Sequence, residues 1–388
     1  MPRPSTRLAN LPPYIFSTIA DRIRTMSADG ADIVRFDIGN PDMPPSPHII
    51  DALAKSAATP STHGYTGYRG LAAFREAVAQ HYKSKFGVQL DPVKNVLPLI
   101  GSKEGIVNIS LAYLSPGDVA LIPDIGYPAY AMGTQLAEAD IQWVKLQPDN
   151  NFLPDLSSIP EEALERAKVM WINYPNNPTG TVATLQDYET ISAFCDKHGI
   201  LLLSDNPYVD VTFDGFEAPS ALKAAKSLDN IIEFFSFSKS YNMAGWRLGA
   251  AVGSAEAITN LLNIKSNMDS GHFQPIYEAG IAALQTPQLW IDERNQVYQR
   301  RRDFIMDELS AIGLSAQKSA GSLYVWAKPL DMSAIDYVEQ ALIKAQVSTA
   351  PGEAYGPGGK DYIRMSVAIP DERIQDALER LSRWYNNR

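Results

Sequence analysis

The sequence predicts an α/β protein: a mostly parallel sheet sandwiched by helices, followed by a smaller α+β unit. Three observations carry this. Between residues 96 and 252, short apolar runs alternate with amphipathic stretches, and parallel strands need such helical crossovers and burial on both faces. A long charged helical stretch, 288–312, then ends the alternation, and strands and helices resume beyond it in a different order. Finally, 388 residues that are 45% hydrophobic supply core for two or three structural units.

In chain order, residues 1–45 are proline-rich at both ends. Segment 8–19 reads as an arm that packs on another part of the molecule, and 32–38 as a short strand ending at Gly39-Asn40-Pro41-Asp42. A helix is predicted over 47–57. The aromatic turn Gly64-Tyr65-Thr66-Gly67-Tyr68-Arg69-Gly70 leads into a helix over 71–86, where Leu71, Phe74, Val78 and Tyr82 recur at helical spacing. Strands are expected at 96–100, 119–123, 141–146, 169–173, 200–203, 234–236 and 248–252, with helices at 104–114, 129–136 and 184–198. After the long helix come a strand at 322–327, a helix at 333–345, strands at 347–350 and 362–367, and a helix at 371–384. The chain therefore divides into 1–45 (arm and part of a small domain), 46–286 (large domain) and 287–388 (small C-terminal domain).

Composition removes several classes of function. A balance of 34 basic and 44 acidic residues, net −10, argues against nucleic-acid and anionic-membrane partners. One cysteine, Cys195, allows no intrachain disulfide and reads as a buried apolar residue of a reducing compartment. The N-terminus lacks a signal-peptide pattern, and no apolar run reaches the ~18 residues of a membrane span, so a cytoplasmic protein is expected. The histidines have no metal-ligand spacing. The glycine-rich run from Gly352 ends Lys360-Asp361, which is no phosphate-binding P-loop.

Chemistry concentrates at predicted strand ends, where open parallel sheets bind ligands. In Phe235-Ser236-Phe237-Ser238-Lys239-Ser240-Tyr241 a lysine sits among aromatics that would desolvate its amine, the condition for reaction with an aldehyde. Arg247 and Ser236 suit a phosphate. Gly101-Ser102-Lys103 joins a strand to a helix, which makes either a phosphate cradle or a simple tight turn. Asp205, with Tyr208 three residues on, could hold a ring nitrogen protonated or cap a helix. Asn177 lies in an Asn-Pro turn, and Tyr127 offers a ring face for stacking or for packing. An aldehyde plus a phosphate is pyridoxal 5′-phosphate (PLP).

Four motifs in this order, Gly-Ser-Lys-Glu-Gly-Ile at 101–106, Tyr-Pro-Asn-Asn-Pro-Thr-Gly at 174–180, Ser-Lys-Ser-Tyr-Asn-Met-Ala-Gly-Trp-Arg at 238–247 and Lys-Ser-Asn-Met-Asp-Ser-Gly at 265–271, resemble those of the class I/II, fold-type I PLP-dependent aminotransferases. The chain is similar to that family over nearly its whole length, and within it most of all to LL-diaminopimelate aminotransferases of lysine biosynthesis and their alanine- and glutamate-type relatives. The resemblance implies that Lys239 carries the cofactor as a Schiff base and then shuttles a proton between the substrate Cα and the cofactor C4′. It implies that Asp205 pairs with the ring nitrogen, that Asn177 and Tyr208 meet the phenolic oxygen and that Tyr127 stacks on the ring. Ser102, Lys103, Ser236 and Arg247 would hold the phosphate, with Tyr65 reaching in from the partner of a homodimer. Arg364 would grip the substrate α-carboxylate, helped by Gly39 and Asn177.

A ping-pong exchange between an L-amino acid and a 2-oxo acid follows, LL-diaminopimelate and 2-oxoglutarate being favoured. Arg69 could clamp a distal carboxylate from the partner chain, whereas an apolar donor such as alanine would use Tyr14, Phe16 and Tyr65 instead. The same cage would also serve a β-lyase or a decarboxylating enzyme, because it does not choose which bond breaks. A noncatalytic PLP-binding regulator fits less well, since Lys239 and Arg364 are intact and no DNA-binding segment is appended.

Overall fold

The computed structural model describes residues 3–9, 11 and 15–388. Strands are β1 (Val34–Arg35), β2 (Val96–Leu99), β3 (Val119–Pro123), β4 (Asp140–Val144), β5 (Ala167–Ile172), β6 (Leu201–Asn206), β7 (Ile231–Ser236), β8 (Gly249–Gly253), β9 (Leu314–Ala316), β10 (Tyr324–Pro329), β11 (Val347–Ser348), β12 (Ala350–Pro351) and β13 (Ile363–Ser366). The central sheet has the order β2-β8-β7-β6-β5-β3-β4. Six of its strands run in one direction and β8 alone runs against them, pairing antiparallel with both β2 and β7. The sheet is mixed and mostly parallel. Hydrophobicity reports burial on both faces but not strand direction, so β8 looked no different from its neighbours in the sequence.

The central strands are buried along nearly their whole length. On one face Phe74, Val78 and Tyr82 of the helix Ala72–Phe86 enter a core with Phe235, Phe237 and Tyr277. On the other, Ile106 and Ile109 of the helix Ser102–Tyr113 pack with Tyr130, Trp171 and Phe234. Cys195 is buried in the first of these cores. A second, antiparallel sheet has the order β12-β13-β10-β9, and β1 joins β11 in parallel beside it. A separate core that includes Tyr298, Ile305, Tyr337 and Leu381 stabilises this part.

Boundaries moved where polar residues continue a ladder. The strand expected to end at 203 runs on to Asn206, because Asp205 and Asn206 pair with Phe234 and Phe235 of β7. Asp205 is therefore fixed by the sheet itself rather than by a following turn. The long helix stops at Glu308, and Ser310–Ile312 form a single 3-10 turn closed by Gly313 at φ +73°. Helices at Ala255–Lys265 and Gln274–Ala283 were not foreseen. Short helices occur at Thr6–Ala9 and Ile15–Ala28, within and around the expected arm, part of which lies outside the described residues. No described helix is long and apolar enough to cross a membrane.

Phe74 is fully buried, with its ring 5.6 Å from Phe237 and 5.2 Å from Tyr277. Phe74→Ala should lower the unfolding free energy by about 3–5 kcal/mol through lost burial and the cavity left behind. Chemical denaturation of the purified protein checks this, and an unchanged midpoint would show that the ring carries no packing energy.

Candidate active site

The carboxyl ends of β3, β5, β6 and β7 open on one cavity of about 370 Å³, closed from above by Gly39, Tyr324, Tyr355 and Arg364. At its floor β7 ends at Ser236, whose Oγ accepts a hydrogen bond from the Ser238 N–H at 3.3 Å and caps the one-turn helix Phe237–Ser240. Lys239 rides on that turn, and its Nζ donates to the Gly39 carbonyl. Burial, reinforced by the positive charges of Arg364 and Arg247, pulls the Lys239 amine down to about 7. It is an amine that can be neutral at ordinary pH.

One side of the cavity could receive an anion. Ser102 and Lys103 open the helix Ser102–Tyr113, and no side chain caps its first turn. The preceding Gly101 adopts φ +73°, and a side chain there would run into the Arg247 guanidinium. Glycine thus lets Arg247 lie against the helix start, where its Nη1 donates to the Ala244 carbonyl at 2.8 Å. Burial and Arg247 also hold the Lys103 ammonium below the usual lysine range. Its Nζ stands 5.9 Å from the centre of the Tyr127 ring.

Opposite the anion side lies Asp205, almost fully buried. Its Oδ2 accepts from the Tyr130 hydroxyl at 2.7 Å, whereas its Oδ1 has no hydrogen-bond partner among the described residues. Burial pushes this carboxyl up to about 7 against the opposing pull of Tyr130. Asn173 supports it from β5's end: its Nδ2 donates to the Asp205 carbonyl, and its Oδ1 accepts from the Asn177 N–H, both at 2.7 Å.

Arg364, on β13, reaches down from the second sheet. Its guanidinium donates to Asn177 Oδ1 at 3.0 Å and to the Asp37 carbonyl at 2.7 Å, and lies 3.9 Å from the centre of the Tyr324 ring. Its Nε has no partner among the described residues. The Tyr324 hydroxyl shares a 2.9 Å hydrogen bond with that of Tyr208 and stands where any side chain at position 39 would have to go. The approach explains Gly39.

Eleven of the residues singled out in the sequence line this one cavity, from Gly39 to Arg364. Tyr65 is 93% exposed on the aromatic turn and does not line this cavity in its own chain; Tyr14 lies outside the described residues. Arg69 also stands away from the cavity, donating to the Val93 carbonyl at 2.6 Å. Sequence reasoning missed Tyr130, Tyr324, Tyr355 and Asp37. Tyr130 could have been found from its place in the first turn of the helix Ala129–Leu136, three residues after Tyr127 beyond the end of β3. Tyr324 comes from the second sheet, Tyr355 from the turn after β12 and Asp37 from the segment after β1, and none carried a local signal.

The family described as aminotransferase class I and II matches residues 31–381. This chain belongs to it. Among curated aminotransferases it is 46% identical to an LL-diaminopimelate aminotransferase of Moorella thermoacetica over 378 residues, 97% of each chain. It is 45% identical to another of that name from Dehalococcoides mccartyi, covering 97% of this chain and 98% of the other. Solved structures agree. The apo form of BacF from Bacillus subtilis superposes with a TM-score of 0.95 at 34% identity, covering 99% of both chains. A probable N-succinyldiaminopimelate aminotransferase from Thermus thermophilus does so at 0.90 and 34%, covering 95% of this chain and all of that one.

An aminotransferase needs a neutral amine close to fixed positive charge, and here the two are electrostatically linked. Removing a neighbouring cation should let the Lys239 ammonium persist to higher pH. In protein without cofactor, the rate at which Lys239 reacts with an amine-directed reagent should be half-maximal near pH 7, as its amine at about 7 requires. Arg247→Gln should move that midpoint upward, and a midpoint that stays or falls would contradict the linkage.

Proposed function

We propose that this aminotransferase uses PLP to move the amino group of LL-diaminopimelate to 2-oxoglutarate in a ping-pong cycle. The observation that carries the cofactor is Asp205. A buried carboxylate with one oxygen bonded by Tyr130 and the other unpartnered is completed by a cationic ring N–H, which would also draw its pKa back down. The anion side built from Ser102, Lys103, Ser236 and Arg247 suits a dianionic phosphate, so the residues present fit the group. The amino donor rests on relatives that bear the name LL-diaminopimelate aminotransferase at 41–46% identity over nearly the full chain.

When bound, the cofactor supplies an aldehyde that condenses with amines and a ring that accepts the electron pair left when the substrate Cα–H bond breaks. Asp205 would keep the proton on the ring nitrogen. Tyr127 would offer its ring face to the cofactor, and Tyr208 with Asn177 would hold its phenolic oxygen. Arg364 takes the α-carboxylate as a two-pronged donor, with Asn177 and Gly39 beside it. The Lys239 Nζ, neutral once its own proton has left, takes the proton from the substrate Cα as general base. Tyr324, Tyr355 and Arg364 of 287–388, together with the large domain, would wall the cavity and exclude water. The active unit is a homodimer in the cytoplasm, Tyr65 of one protomer reaching its partner's phosphate.

Borohydride reduction should fix the cofactor on the peptide containing Lys239; label on the Lys103 peptide would sink the assignment. Asp205→Ala should retain cofactor and lose several orders of magnitude in kcat, while near-normal turnover would leave Asp205 a purely structural role. For the donor, kcat/KM is compared for LL-diaminopimelate, glutamate, aspartate, alanine and an aromatic amino acid. LL-diaminopimelate is expected to lead. Alanine or an aromatic donor ahead by tenfold, about 1.4 kcal/mol of transition-state preference, would overturn the substrate and leave the reaction type standing.

A further inference from the structure

The turn that carries Lys239 cannot hold itself. A helix of four residues, Phe237–Ser240, is far below the length at which helices are stable alone, and its last carbonyls have no acceptor role inside it. Those carbonyls are taken by a single buried side chain, Arg294, from the long helix Gln288–Glu308. Its Nη1 donates to the carbonyls of Lys239, at 3.1 Å, and of Ser240. Its Nη2 donates to the Asp210 carbonyl, on the segment that leaves β6 after Asp205 and Tyr208, and to Asn295 Oδ1 at 2.9 Å. Its Nε donates to the same Asn295 oxygen at 3.3 Å, and Asn295 Nδ2 itself donates to the Asp210 carbonyl at 3.0 Å. All five N–H bonds of the guanidinium are thus used.

Burying a guanidinium among neutral acceptors is costly. Burial holds its pKa below the usual arginine range, with the nearby Asp210 charge opposing, and no salt bridge to it occurs among the described residues. Shape rather than charge pairing accounts for the choice, because a planar fork can reach carbonyls on two separate segments and lysine cannot. The cation also suits the negative end of a helical turn. The charges that lower the Lys239 amine are those of Arg364 and Arg247. Arg294 acts on the backbone.

We propose that Arg294 is a positioning residue for catalysis: it clamps the Lys239 turn to the segment following Asp205 and Tyr208, and ties both to the long helix that leads into the second sheet. Base and ring-nitrogen partner are then held in one frame, and a shift of that helix is felt directly at the lysine. Positional errors well under an ångström matter for such groups. The inference rests on Lys239 being the cofactor lysine.

The test uses full-length enzyme loaded with PLP, with Arg294→Lys and Arg294→Met compared per bound cofactor. Expected are a kcat at least tenfold lower with the amino-donor KM changed less than threefold, and a pH midpoint of the visible absorbance displaced by half a unit or more. Arg294→Lys should recover little, since it restores the charge without the fork. Asn295→Ala leaves the arginine but removes the oxygen that orients it, so it should show the same pattern at smaller size and serves if the arginine variants do not fold. A lowered melting temperature with kcat and the spectral midpoint unchanged, in whichever of these variants folds, would overturn the proposal and leave Arg294 only structural. Borohydride labelling of the parent separates the two readings: label away from Lys239 defeats the cofactor assignment, whereas label on Lys239 with unaffected variants defeats this inference alone.

Discussion

Four cations in and around this site are held by neutral oxygens. Lys239 donates to the Gly39 carbonyl, Arg247 to that of Ala244, Arg364 to Asn177 Oδ1 and the Asp37 carbonyl, and Arg294 to three further carbonyls and an amide. Asp37, whose residue also lines the cavity, spends both carboxylate oxygens on Arg35 at 2.7 Å. A protein of net charge −10 thereby gathers positive charge at this cavity. Carbonyl dipoles fix where each cation points without cancelling its charge, so the field remains available to an incoming anion. Repulsion among the same cations, added to burial, lowers the lysine amine.

Holding such a group together requires support from outside it. Asp205 is anchored twice, by its ladder with β7 and by Tyr130, whose ring stacks on Trp171 at 4.7 Å. The Lys239 turn is capped by Ser236 at one end and clamped by Arg294 at the other. Phe74 packs against Phe237, the first residue of that turn. The hydrophobic core, the sheet ladder and one buried arginine therefore converge on a four-residue element that has no stability of its own.

The two sheets meet through Tyr208 and Tyr324 and through Arg364 with Asn177. The second contact joins a group that would touch cofactor, Asn177, to one that would touch substrate, Arg364. Binding of a carboxylate at Arg364 would compete with these hydrogen bonds, a direct route from substrate occupancy to the ring's surroundings.

Much of this protein was legible in its residues. The helix Pro47–Ala57 and the strand β3 lie where periodicity places them, and the strand-end positions of Ser102, Asp205, Ser236 and Lys239 follow from apolar runs that stop at polar residues. Local pattern reports burial and turn chemistry, and a parallel sheet turns strand ends into a site automatically. What it cannot report is direction or distance across the chain. The reversed β8, the partnering of Asp205 by Tyr130, the approach of Tyr324 to Gly39 and the reach of Arg294 to the Lys239 turn are all decided by packing between segments distant in sequence. Side chains, local composition and turns determined which residues could do the chemistry; only the tertiary structure decided which of them are held, and by what, because a hydrogen bond between distant segments leaves no trace in either one alone.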